Sequence, residues 1–101
     1  MLENEISTPE VETLPADSVP AGYDLAAIGR QIEAILMVVD EPVTEITLAS
    51  VLQVPVDQVV AALDALKPTY EDRGFTLKAI NGGWRFYSHP ECSDVVEKFV
   101  L

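Results

Sequence analysis

Basic residues are scarce in this sequence. Six Lys and Arg stand against seventeen Asp and Glu, for a net charge of −11 and a pI near 4.1. That is the wrong sign for a protein that works by gripping phosphates, so nucleic-acid binding would need a local basic patch. Cysteine is almost absent. Cys92 alone excludes an internal disulfide, and no Cys and His cluster has metal-ligand spacing, which suits a reducing, cytoplasmic compartment. No apolar run approaches the roughly 20 residues of a membrane span. The N-terminus lacks the basic, apolar and small-residue order of a signal peptide, so membrane insertion and secretion drop out. No glycine-rich phosphate loop occurs either: Gly82-Gly83 lies in a hairpin pattern with no helix behind it to hold an anion.

What is present divides in two. Residues 1–23 hold Glu3, Glu5, Glu10, Glu12 and Asp17, no Lys or Arg, and three prolines, Pro9, Pro15 and Pro20. Their scattered apolar residues bury too little surface to offset chain entropy, so a disordered acidic tail is expected, with a partner-binding peptide as the alternative. Residues 24–101 read as one folded domain. Asp24 is a helix cap, and Leu25, Ile28, Ile32, Ile35, Leu36 and Val39 recur on one helical face until Asp40-Glu41-Pro42 ends it. Thr44 caps a second helix, Glu45 to Leu52. Pro55 opens a third, carried by Val56, Val59, Val60, Leu63, Leu66 and Tyr70 toward Gly74. Pro68 inside that pattern predicts a kink or an early end near Leu66 or Lys67.

Beyond Gly74 the period becomes two. Phe75, Leu77 and Ala79 alternate with Thr76, Lys78 and Ile80, Asn81-Gly82-Gly83 supplies a tight turn, and Trp84 to Tyr87 should pair back antiparallel. A last helix starts near His89-Pro90-Glu91, with Val95, Val96, Phe99 and Val100 as its stripe. The chain stops within that stripe, as a fragment of something longer would. Three helices and a hairpin spell an α+β winged helix: a helix-turn-helix core with a β-hairpin wing. Small Ala49 permits close crossing of the second and third helices. Gln53 stands where the turn usually has glycine, so strain or a shifted geometry is expected there.

The obvious use of this fold is DNA reading, and the third helix argues against it. Base readers at a recognition helix are Arg, Lys, Asn, Gln or Ser flanked by bases. Val56, Asp57, Gln58, Ala61, Ala62, Asp64 and Ala65 offer only Gln58, and no Lys or Arg lies between Arg30 and Lys67. A regulator using Gln58, Lys78 and Arg85 is the runner-up. Catalysis has less support: His89 and Cys92 lack a third, orienting group, and no cofactor, metal or small-molecule substrate is implied. What remains is a protein-binding module. Its candidate interface is the outer side of helix one, Arg30, Glu33 and Met37, with the hairpin aromatics Trp84, Phe86 and Tyr87.

Three segments resemble a known family, segregation and condensation protein B, ScpB. Ile32 to Val43, IEAILMVVDEPV, is similar to its IEAILF stretch followed by an E-P-V/I turn. Tyr70-Glu71-Asp72-Arg73-Gly74-Phe75-Thr76-Leu77 resembles its Y-x-x-R-G-x-x-L segment, and Gly82-Gly83-Trp84-Arg85-Phe86 its G-G-aromatic-R hairpin. The resemblance covers about Ile28 to Leu101 and implies the first of two tandem winged helix domains. It also implies a non-enzymatic subunit of the bacterial SMC condensin complex, a homodimer that clasps the kleisin ScpA and through it SMC in chromosome condensation and segregation. Two departures stand out. Pro68 interrupts the third helix, and the second domain is missing, which leaves open whether this stretch binds the kleisin alone.

Overall fold

Asp24 opens the first helix as a cap, its carboxylate accepting from the free amides of Ala26 and Ala27. In the computed structural model, which describes residues 23–101, this helix is α1, Leu25–Val38. Residues 1–22, and with them nearly all of the expected tail, lie outside the described residues. Thr44 caps α2 (Glu45–Leu52) by accepting from the Thr47 amide, and Pro55 precedes α3 (Val56–Leu66). Pro68 acts as its position predicts. α3 ends at Leu66, and Lys67–Tyr70 tighten into a single 3-10 turn.

The turn between α2 and α3 is made by Gln53, which sits in the left-handed region at φ 58°, so this chain holds a side chain where glycine would be unstrained. α2 and the α3 segment through Tyr70 bend 110° apart, a helix-turn-helix angle. Ala49 is buried at the crossing, with Leu48, Val59 and Leu63 fully enclosed beside it, while Leu52 and Val54 pack half-buried on this core. From α1 come Ile28, Ile32 and Leu36, spaced to point one way.

The wing is an antiparallel pair, β1 (Phe75–Ile80) and β2 (Gly83–Ser88). Ile80 pairs with Gly83, so Asn81 and Gly82 alone form the turn, and both take the positive φ that such a two-residue turn demands. A third, single-residue strand joins from before α2. Val43 donates its amide to the Trp84 carbonyl (2.9 Å) and accepts the Trp84 amide (2.7 Å). A short turn, Pro90–Cys92, then leads to α4, Ser93–Val100. His89 caps that turn through Nδ1, which accepts from the Glu91 amide, a structural task that accounts for this histidine.

Candidate functional site

Alternation along β2 decides which aromatics reach the surface. Register pairs Ala79 with Trp84 and Leu77 with Phe86 on the face toward the helices, and Lys78 with Arg85 and Thr76 with Tyr87 on the other. Trp84 is therefore a core residue at 7% exposure. Its indole N–H donates to a Glu45 carboxylate oxygen at 3.1 Å, and the Lys67 ammonium lies 5.4 Å from the ring centroid. Phe86 is half-buried. With Tyr70 and Phe75 it forms a triangle of rings whose centroids lie 5.0–5.5 Å apart, two of the three contacts edge-on. Tyr87 is half-buried on the outer face, 5.8 Å from the Arg85 guanidinium carbon.

On α1, Arg30 and Met37 are exposed, Met37 at 77% with Val38 beside it at 82%. Glu33 lies between them along the same stripe, half-buried, and its carboxylate accepts the hydroxyl proton of Tyr70. Of the residues singled out in the sequence, the structure thus groups Arg30, Glu33 and Met37 on one helix face. It sends Trp84 inward and leaves Tyr87 on the wing's outer face. Beside Arg30 and Glu33 runs an apolar groove between α1 and α3, floored by Gly29, Ala62 and Leu66. Helical periodicity alone points to α1's outer stripe; the α3 wall, Ala62 to Leu66, is set by the tertiary fold.

Tyr70 gives the site a pH signature. Burial, reinforced by the hydrogen bond to Glu33 and its charge, pushes the Tyr70 hydroxyl well above its ordinary value of 10. The folded state therefore holds this proton where the unfolded chain releases it, so the stabilisation is complete below pH 10 and is lost as pH rises beyond it. Tyr70→Phe should cost about 1–2 kcal/mol at neutral pH, through the lost hydrogen bond to a carboxylate. Above pH 10 the two proteins' urea midpoints should converge, because only the wild type has this proton to lose. Parallel midpoint curves through the alkaline range would show that the hydroxyl is not held this way.

The surface where a winged helix would face DNA is acidic or apolar. Asp57, Asp64 and Ala65 are exposed on α3, whereas Gln58 is half-buried. Lys78 and Arg85 sit directly opposite one another on the wing, two cations in one small spot. Among the described residues no three metal-ligating side chains gather. No single described helix is long and apolar enough to cross a membrane.

Three helices in helix-turn-helix geometry, a wing, and the Val43 strand that ties the wing to the helices define a winged helix domain. The family model for the segregation and condensation complex subunit ScpB matches residues 30–101 of it. The chain belongs to the ScpB family. Segregation and condensation protein B of Desulforamulus reducens is 30% identical over 69 residues, which make up 66% of this chain and 38% of that protein. ScpB from Mycobacterium tuberculosis superposes with a TM-score of 0.72 at 34% identity, over 77% of this chain and 50% of that one. A dimer of an ScpB N-terminal domain complexed with an ScpA peptide shares the fold, with a TM-score of 0.69 at 24% identity, over 74% of this chain and 96% of that one. The chain thus spans half or less of the length of the first two relatives.

Proposed function

We propose that this chain is the N-terminal winged helix half of a non-enzymatic, cytoplasmic subunit of the bacterial SMC condensin complex. It dimerises and binds the kleisin ScpA, and through ScpA reaches SMC. The family match over residues 30–101 carries the reading. The charge of the surface supports it: an acidic, base-free α3 suits a winged helix turned from phosphates to protein contacts. The candidate protein-contact surface is the outer side of α1, with Arg30, Glu33 and Met37 beside the α1–α3 groove, joined by Phe86 and Tyr87 of the wing. Trp84 supports that wing from the core.

Titration of this chain with a fluorescently labelled ScpA from the same organism should give saturable binding. Arg30→Glu should weaken it at least about tenfold if the outer side of α1 is the contact surface, because it reverses the charge of an exposed residue there. The control is random duplex DNA at low salt, where phosphate attraction is strongest. No anisotropy change is expected with the DNA. Tight, salt-sensitive DNA binding without ScpA binding would instead favour a transcriptional regulator that uses Gln58, Lys78 and Arg85.

A further inference from the structure

β1 leaves one edge of the wing open. The Trp84 amide and carbonyl both bond to Val43, so the Ala79–Trp84 pair exchanges no hydrogen bonds across the hairpin. Antiparallel alternation then turns the amides and carbonyls of Phe75, Leu77 and Ala79 away from β2. β1 has no second neighbour in the sheet, and these groups find no hydrogen-bond partner among the described residues. The side chains along the edge are uncovered too: Phe75 is 39% and Ile80 43% exposed, and Ala79 lies open between them. Lys78 and Arg85, two of the chain's six cations, stand side by side on the outer face. Neither has a carboxylate within salt-bridge reach among the described residues. Such an edge is a template for an added strand, and its cations favour one that carries acids.

We propose that this strand comes from the chain itself: Glu10–Leu14 docks along the β1 edge of its own wing. Three observations select that segment. The first is alternation. In Glu10-Val11-Glu12-Thr13-Leu14 the two acids share one face, and the β-branched Val11 and Thr13 share the other. With Glu10 and Glu12 on the side of Lys78 and Arg85, Val11 and Thr13 fall on the side of Phe75, Leu77 and Ala79. Leu2–Ile6 alternates as well, but it places Asn4 at the centre of its apolar side. The second is length. Pro9 and Pro15 bound the segment at five residues, because proline has no amide for a ladder, and the open edge Phe75–Ala79 matches it. The third is reach. The connection from Leu14 to Tyr23 spans at most roughly 30 Å, long enough to turn back onto the domain and short enough to hold the segment at high effective concentration. The docked segment closes an edge that would otherwise pair with a strand of another molecule.

Amide exchange of the full 101-residue chain, followed by NMR at two protein concentrations, tests this. The Leu77 and Ala79 amides should exchange at least about tenfold more slowly in the wild type than in Val11→Pro, which removes a ladder amide outside the described domain. The Lys78 amide is directed at β2, so it should be equally protected in both proteins and show that the wing is intact. Lys78→Glu should speed exchange at Leu77 and Ala79, and adding Glu12→Lys to it should restore the protection. Equal exchange of Leu77 and Ala79 in the wild type and Val11→Pro overturns the proposal, as does a charge swap that restores nothing. Protection that rises with protein concentration overturns it as well, because the strand would then come from a second copy.

Discussion

Trp84→Ala is expected to lower the unfolding free energy by about 3–5 kcal/mol, the usual cost of truncating a buried tryptophan. For a folded region of this size, total stability is about 4–12 kcal/mol, so the variant should lie near the edge of folding at room temperature. The size of the effect follows from what the ring ties together. Through its backbone Trp84 pairs with Val43 on one side and Ala79 on the other. Through its side chain it reaches Glu45 at the start of α2 and lies beneath Lys67 in the turn after α3. Trp84→Phe keeps most of the apolar area but loses the indole donor, so it should cost about 1–2 kcal/mol. Urea unfolding followed by far-UV circular dichroism measures both, because the chain has no other tryptophan to report fluorescence. A loss below about 1 kcal/mol for the alanine variant would mean that the wing is not held to the helices by this ring.

Local chemistry makes most of the fold legible in the sequence. Caps at Asp24 and Thr44, the stop at Pro68 and the Asn81-Gly82 turn each act within a few residues, and each appears where its residues stand. Strand alternation separates Trp84 and Phe86 from Arg85 and Tyr87 without saying which pair faces inward. That choice depends on where the helices lie, and they take the apolar pair. The Tyr70–Glu33 bond joins residues 37 apart, and the Val43–Trp84 pairing leaves no period of its own because it is a single residue long. The candidate interface residues on α1 are legible as a stripe for the same local reason. The groove beside them is not, since its other wall comes from α3.

The same geometry fits the proposed use of this winged helix for protein contacts. In this chain the helix that would enter a major groove exposes Asp57 and Asp64, and the two wing cations face each other across one strand pair rather than spreading along a phosphate backbone. Its conspicuous unmet surface is apolar: the end of α1 and the whole stripe of α4. Exposed apolar patches of this kind are commonly interaction sites, which agrees with the protein-binding role proposed above for this member of the ScpB family.

Gly83→Ala should be nearly as damaging as the tryptophan truncation although it adds a single methyl group. A Cβ at position 83 would lie 2.5 Å from Pro42 Cβ and 3.1 Å from the Pro42 carbonyl carbon. Neither atom belongs to a flexible side-chain end that could swing aside. Pro42 is held by its own ring and by the Val43–Trp84 hydrogen bonds immediately after it, so relief requires the strand before α2 to move off the wing. Overpacking of this kind costs about 1–3 kcal/mol, and the upper end is expected because the displaced group is backbone. Gly82→Ala gives the contrast. It meets no atom within 4 Å but sits at φ +81°, so its cost is conformational, about 1–2 kcal/mol, and confined to the turn. Amide exchange separates the two mechanisms. Gly83→Ala should expose the Val43 and Trp84 amides to rapid exchange, whereas Gly82→Ala should leave both protected. Equal protection of Val43 in the two variants would show that Pro42 yields to the methyl group without losing the bridge.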